Sequence, residues 1–243
     1  AWHALSTANY LYIAPSLVAY FIGVHLRAWR WRLLLRPVKD ISANRLFPTV
    51  VIGYMANNIL PARLGEVVRA YILGEKERVS KSATLATIIV ERMFDGLALI
   101  GFMLVILWLF PLGSGAGAEL LQSILRVGTP LFLVALAGFL VVASSRSLAL
   151  RVSAFLLGFL PTGLRSKITR LLDAFLDGLA VLRSPRDVLS VFGLSIVIWL
   201  FEASMYAIIM LGFSFSQPFY VLLLATAAAN LFTIAPSTPG YVG

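Results

Sequence analysis

Apolar runs of bilayer length constrain this chain more than any other feature. Residues 83–110 and 188–211 are long enough to cross a hydrocarbon core of about 30 Å, and the shorter runs 10–26 and 127–143 are adequate. Because a lipid core offers the backbone no hydrogen-bond partner, such segments must be helical. We therefore expect an all-α integral membrane protein, a polytopic helical bundle that forms a single membrane domain over residues 1–243.

The basic residues are distributed in a way that predicts the orientation of these helices. The net charge is +9, and 18 of the 20 lysines and arginines lie in residues 27–45, 63–81 and 146–186. The connections at 111–118 and 212–217 carry none. The positive-inside rule places the basic stretches on the cytoplasmic side of the cell membrane. This distribution favours a membrane surface over nucleic acid as the reason for the charge, so we expect no nucleic-acid partner.

The composition argues against several kinds of chemistry. The chain has no cysteine, which excludes disulfides, thiol catalysis and thiolate metal sites, and it has only 2 histidines. We find no nucleophile–base pair and no metal-ligand spacing, so we expect no catalytic residue, no metal and no cofactor. An enzyme acting on lipid, with Glu91 or Asp95 as general base, is the weaker alternative.

Residues 46–60 lie between two basic stretches that are both expected in the cytoplasm, so this segment cannot cross the membrane. Residues 46–60 would form about 22 Å of helix, which is shorter than the hydrocarbon core. We predict a re-entrant helical hairpin that enters from the cytoplasm and turns near 57–61. The alternative is an interfacial hairpin that lies flat on the membrane.

A second interrupted apolar segment near the C-terminus repeats this pattern. The run at 218–235 contains Asn230 and ends in a proline-rich break, as the run containing Asn57 ends near Pro61. The two breaks follow helices of opposite expected direction, which is the sequence mark of an inverted-topology transporter repeat. The residues of the second break that we expect in a site are Pro236, Pro239 and Gly240.

The repeat predicts how the domain is organised. The first half-repeat covers about 9–110, connecting and amphipathic helices cover about 119–184, and the second half-repeat covers about 185–243. Within the connection, 164–182 has one apolar and one charged face, as expected of a helix on the cytoplasmic surface. The chain stops at Gly243, directly after the break, so we expect a truncated second half that at least one more helix should follow.

The tip of the first hairpin is predicted to bind an anion. Pro61 suits the first position of a helix, and the exposed amides of that turn with Arg63 beside them favour a lipid phosphate. Glu66 lies three residues from both Arg63 and Arg69 and can pair with either. Alternatively, these charges merely neutralise one another at the interface. The preceding residues that complete this candidate site are Asn57 and Asn58.

Further charges lie deep in predicted spans, where ionisable groups cost about 3 kcal/mol each. Glu91, Arg92 and Asp95 share a helix segment near the midplane, and we expect Arg63 to pair with them. The alternative is a purely structural ion-pair network. Glu202 has no local partner, so we expect it to face the protein interior and the second break.

The cytoplasmic end of the first helix, expected at about residues 10–35, alternates tryptophan with arginine. The residues of 27–32 are expected to anchor this end at the headgroup level, where indole rings settle and basic side chains snorkel.

Several of these segments resemble one family. The run at 57–66 with Arg69, the run at 91–95, the stretch at 27–35 and the break at 236–240 are similar to the membrane region of bacterial lysylphosphatidylglycerol synthases and their stand-alone relatives. The resemblance covers nearly the whole chain and implies flipping of aminoacylated phospholipid between leaflets. Related membrane domains accompany glycosyltransferases that use lipid-linked sugars.

Two departures from the family pattern matter. Against that pattern we expect the chain to begin one helix late and to end early, and this sequence lacks the soluble aminoacyl-transferase domain. Family members commonly continue past the Pro-Gly break with a further glycine and a glutamate, and here the glutamate is missing.

The sequence therefore predicts a lipid translocase that moves a phospholipid or a lipid-linked headgroup through a central polar cavity. Arg63 would hold the phosphate, and Glu91, Asp95 and Glu202 would balance a cationic headgroup or a proton. The alternative is a non-catalytic membrane anchor or partner of a lipid-modifying enzyme. The expected partners are a membrane lipid substrate and, as further possibilities, a second copy of the chain or such an enzyme.

Overall fold

The described part of the chain consists almost entirely of helices. The computed structural model describes residues 6–60, 64–110, 116–144, 147–148, 150–151, 162–213 and 215–232. The helices are α1 (Ile13–Leu35), α2 (Ala43–Ile59), α3 (Gly65–Glu77), α4 (Lys81–Leu109), α5 (Ala116–Ser144), α6 (Thr162–Gly178), α7 (Pro185–Met210) and α8 (Phe219–Phe232). Single 3₁₀ turns lie at Tyr10–Tyr12 and Ala180–Arg183. The predicted all-α class is confirmed for these residues.

Among the described residues, 3 helices are long and apolar enough to cross a membrane, namely Tyr10–Leu35, Lys81–Leu109 and Pro185–Met210. They contain three of the predicted apolar runs almost completely. The fourth predicted run, 127–143, lies within α5, where Arg126–Gly138 is a shorter apolar helix.

The two long helices after basic loops begin with serine caps. The Ser80 hydroxyl accepts from the amide of Ala83 at the start of α4, and the Ser184 hydroxyl accepts from the amide of Asp187 at the start of α7. Pro185 occupies the first turn of α7, where its missing N–H would have no helical partner. Local sequence thus fixes where both helices begin.

Helices α1 and α7 pack antiparallel at the centre of the bundle. At one end the amide of Asn9 donates to the carbonyl of Gly212 over 2.8 Å, and further along Arg30 of α1 reaches Ser195 of α7. Helices α4 and α8 pack against this pair, and α4 also contacts α3 and α6. The interior of the bundle is therefore bordered by α1, α4, α7 and the hairpin of α2 and α3.

Helices α2 and α3 form the predicted hairpin, with its turn between Ile59 and Gly65. Gly53 and Gly65 let the two backbones approach closely, because a Cβ on Gly65 would overlap the Gly53 carbonyl. The Asn57 side chain accepts a 2.9 Å hydrogen bond from the amide of Gly65 and so holds the tip. At the open end Arg45 pairs with Glu77 over 2.8 Å, which makes the two helices antiparallel.

The open end of the hairpin lies beside the basic end of α1. Lys39 contacts the Glu77 carboxylate over 2.9 Å, and Arg32 contacts Asp40 over 2.9 Å. The hydrogen bond from Lys39 and the nearby Arg45 hold the pKa of the Glu77 carboxyl below its usual range. The Lys39–Glu77 pair ties the hairpin to the loop that follows α1, and the Arg32–Asp40 pair ties that loop to α1.

Helix α6 docks on the beginning of α4. The Ser82 hydroxyl donates to the Leu171 carbonyl over 2.7 Å, and Gly178 lies against the Ala83 carbonyl. Leu176 and Leu179 are buried as their places on the predicted apolar face require. Leu171, on the same face, is 60% exposed.

Candidate functional site

A buried cluster of charges joins α1, α3 and α4, and Glu91 is at its centre. The Arg69 guanidinium donates two hydrogen bonds to the Glu91 carboxylate, at 3.3 and 3.0 Å. Arg30 lies 3.1 Å from the same carboxylate, and Arg92 donates to it over 2.6 Å. One carboxylate therefore meets three guanidinium groups from three helices.

Asp95, one helical turn after Glu91, extends the cluster to α7. Its carboxylate pairs with Arg30 and lies 3.2 Å from Arg92. The Trp199 indole N–H donates to Asp95 over 3.1 Å, and Arg30 also donates to the Ser195 hydroxyl over 2.7 Å. Two α7 side chains thus hold the α1–α4 ion pair in place.

The four members of this buried cluster are almost fully shielded. The exposed fractions of the side chains are 0% for Arg30 and Glu91, 2% for Arg69 and 6% for Asp95. Such charges are tolerated only when each has several partners, because the loss of hydration is large. The face of Trp31 adds a further contact, 4.2 Å below the Arg69 guanidinium. These features indicate that the cluster holds the helices together.

A second set of charges, which we call the lining pairs, faces a polar cavity of about 380 Å³. Arg27 of α1 pairs with Glu202 of α7 over 2.9 Å, with side chains 9% and 17% exposed. Arg92 of α4 lies 3.6 Å from Glu66 of α3, with side chains 31% and 22% exposed. Arg92 also touches the buried cluster, so it connects the two sets.

Amide and aromatic side chains complete the described wall of the polar cavity. The Arg27 guanidinium lies over the rings of Tyr54 and Trp199, at 5.7 and 5.6 Å from their centroids. The Tyr54 hydroxyl is buried without a hydrogen-bond partner among the described residues. The remaining wall residues are Tyr20, Asn57, Asn58, Tyr206, Ala229 and Asn230. The wall therefore offers both hydrogen-bond donors and acceptors beside two opposite-charge pairs.

The structure divides the predicted site residues into groups. Those that line the polar cavity are Asn57, Asn58, Glu66, Arg92 and Glu202. Asp95 lines an adjoining cavity, and Arg69 and Glu91 lie behind the wall in the buried cluster. The predicted residues Pro61, Arg63, Pro236, Pro239 and Gly240 lie outside the described residues.

The structure adds partners that the sequence did not predict. Arginines of other helices meet Glu91 and Asp95, while their expected partner Arg63 lies outside the described residues. Glu66 lies 3.6 Å from an arginine of the neighbouring helix. Glu202 faces the interior as expected, and it pairs with Arg27 because α1 and α7 pack side by side.

The expected anchoring role of residues 27–32 is also wrong in part. Trp29 is 51% exposed and the Arg32 side chain 39%, as expected of an interface, but Arg27 and Arg30 are buried. The signal was present in the spacing. Arg27 and Arg30 share a helix face with Leu34, whereas Trp29 and Arg32 lie on the other side.

Fold and site together define a polytopic helical membrane protein with a half-open polar cavity between its described helices. The family model for the lysylphosphatidylglycerol synthase TM region matches residues 1–243. The chain belongs to this family, and the resemblance seen in its motifs is confirmed.

Similar proteins occur in archaea. A UPF0104 membrane protein of Methanothermobacter thermautotrophicus is 28% identical over 257 residues, covering 99% of this chain and 74% of that protein. A UPF0104 membrane protein of Methanocaldococcus jannaschii is 29% identical over 189 residues, covering 77% of this chain and 74% of that protein.

A third relative is the glycosyltransferase AglD of Haloferax volcanii, which is 26% identical over 266 residues. The match covers 98% of this chain and 42% of AglD, so more than half of that protein has no counterpart here. No solved structure is significantly similar to this chain.

Proposed function

We propose that the protein is a lipid translocase that moves the polar headgroup of a phospholipid or lipid-linked substrate between membrane leaflets. The observation that carries this proposal is the half-open polar cavity of about 380 Å³, which is lined by two ion pairs and lies between apolar helices. Charged groups at such a depth are costly and typically mark a substrate or ion pathway.

The lining pairs can bind a lipid headgroup by exchanging their ionic partners for groups of the headgroup. An anionic phosphate can replace Glu202 beside Arg27, or Glu66 beside Arg92, while the released carboxylate accepts from a hydroxyl or ammonium group of the same headgroup. With a headgroup that carries an ammonium group, every charge stays paired during this exchange, which limits the cost of desolvation. The Tyr54 hydroxyl, buried and lacking a described partner, offers a further hydrogen bond. Arg63 and the helix start after Pro61 would add a phosphate contact.

The proposal includes the orientation of the helices in the membrane and the inverted-topology repeat. The α2–α3 hairpin would be re-entrant from the cytoplasmic side of the cell membrane, with the basic loops in the cytoplasm. Its helices of 17 and 13 residues are short for a span, which supports this arrangement. The antiparallel packing of α1 and α7 supports an inverted repeat with halves at about 9–110 and 185–243.

A reconstitution experiment tests the translocase proposal. The purified protein in liposomes would be offered fluorescent lipids with anionic, aminoacylated, zwitterionic and polyprenyl-linked headgroups. We expect headgroup-selective movement by the wild type and its loss in Arg27→Ala and Arg63→Ala variants that remain folded. Arg126→Ala serves as a matched control, because Arg126 is an exposed arginine on α5. Absence of movement of every lipid by folded wild-type protein would contradict the proposal.

A second candidate function is a non-catalytic membrane anchor or partner of a lipid-modifying enzyme. The match to under half of AglD favours it, since a region of this family there accompanies a larger remainder. On this hypothesis Arg27→Ala would change assembly with such an enzyme and leave lipid distribution unaltered. Measuring both quantities on the same variant separates the two functions.

A further inference from the structure

A second cavity, of about 510 Å³, adjoins the polar cavity. The two cavities share four wall residues, Glu66, Arg92, Trp199 and Asn230. Because the shared residues include charged groups, a molecule that occupies both cavities must have a polar part at this junction.

The rest of the second cavity is mostly apolar, and we call it the side groove. Its apolar wall comes from α3, α4 and α5, and its residues are Val67, Leu85, Ile89, Met93, Leu99 and Phe132. From Leu85 to Leu99 the groove follows α4 for 14 residues, or about 21 Å at 1.5 Å per residue. That length is a large part of a hydrocarbon core of about 30 Å.

We propose that the side groove holds a hydrocarbon chain of the lipid whose headgroup occupies the polar cavity. This inference rests on the proposed function and adds the place of the chain to it. An apolar groove that meets a charged cavity along one helix fits an amphipathic molecule, since each part is buried in a matching environment. A water-soluble headgroup alone would leave the apolar wall without a partner.

Gly96 sets the width of the groove. A Cβ placed on Gly96 would lie 3.0 Å from the Phe132 ring, so a larger side chain here must occupy the groove or displace α5. Gly101, five residues later on α4, provides a matched control, because a Cβ there has no described atom within 4 Å. Neither substitution removes a charge.

The test uses a phospholipid that carries a photoactivatable diazirine at the end of an acyl chain. Reconstituted wild-type protein should crosslink at Met93 and Phe132 as well as at the exposed surface residue Phe21. In Gly96→Leu we expect a roughly tenfold loss of the crosslinks in the groove, because several methylene groups are excluded. Crosslinking at Phe21 should stay constant, and Gly101→Leu should resemble the wild type.

If Gly96→Leu does not fold, Val67→Trp narrows the groove from α3, where Val67 is 53% exposed. Groove crosslinks that stay at the wild-type level in a folded narrowing variant would overturn the inference, as would labelling confined to Phe21. Lipid movement measured on the same samples separates this inference from the proposed function. If lipid is moved but the narrowing variants leave the groove crosslinks unaltered, only the inference about the side groove is refuted. If the narrowing variants abolish the groove crosslinks, the inference is supported even when no lipid is moved.

Discussion

The buried cluster and the lining pairs contain the same kinds of residue and differ in what surrounds them. In the buried cluster, Glu91 is fully shielded and meets three arginines. In the lining pairs, Glu202 is 17% exposed, faces a cavity and pairs with Arg27 alone among the described arginines. Removing Glu91 would leave shielded arginines uncompensated, whereas removing Glu202 would leave Arg27 facing a cavity. We therefore expect the shielded charges to be structural and the cavity-facing charges to be available to a ligand.

The largest effect is expected from Glu91→Ala. This change leaves Arg30 and Arg69 without their shared carboxylate, and breaking a buried pair in this way costs about 3–5 kcal/mol. We expect severe loss of folded protein, measured by thermal unfolding and by elution in detergent. Glu119→Ala, at an exposed position on α5, should unfold as the wild type does. A stable Glu91→Ala protein would abolish the distinction between the two sets of charges.

Gly65→Leu should have the next largest effect on stability. A side chain at this position overlaps the Gly53 carbonyl and the Asn57 side chain, so the hairpin must open at its tip. We expect a loss of about 1–3 kcal/mol in the free energy of unfolding. Gly101→Leu is the control, since space is open there. Equal stability of both variants would mean that the close approach of α2 and α3 is not required.

Glu202→Gln should separate function from stability. The glutamine carbonyl can still accept from Arg27, so only about 1 kcal/mol of stability should be lost. Lipid movement should fall strongly, because the exchange of charged partners is no longer possible. Glu119→Gln is the matched control in the same reconstitution. If Glu202→Gln moved lipid at the wild-type rate, the Arg27–Glu202 pair would not belong to the proposed site.

The smallest effect concerns the Glu77 pairs at the basic end. The pKa of Glu77 is lowered in the folded protein, so its contribution is present above its usual pKa of 4.5 and is lost as the pH falls through the folded value. Because Lys39 and Arg45 are exposed, Glu77→Gln should cost less than about 1 kcal/mol at pH 7. Unfolding of both proteins is compared between pH 3 and 7. If the wild type and Glu77→Gln still differed in stability at pH 3, the stabilising role of the ionised Glu77 carboxylate would be contradicted.

The sequence predicted the elements that depend on local patterns. The long spans follow from apolar length, and the hairpin of α2 and α3 follows from an apolar segment too short to cross that lies between two basic stretches. Burial of Glu91 and Asp95 also followed from their depth, about 15 Å from the start of α4 for Glu91.

The pairing of the charges could not be predicted from such patterns. Arg30 and Asp95 are 65 residues apart and Arg27 and Glu202 are 175 apart, so their contacts depend on how α1 packs against α4 and α7. Spacing within a helix decides which residues share a face. It carries no information about which other helix that face will pack against.

The central claim is that the lining pairs act on the lipid while the buried cluster holds the helices, and exchanging the charges of one lining pair tests it most directly. Arg27→Glu combined with Glu202→Arg restores an ion pair between α1 and α7 with its direction reversed. The account predicts that the double variant regains the unfolding temperature lost by each single variant and still fails to move lipid. Recovery of lipid movement together with stability would contradict the account, because the pair would then be only structural.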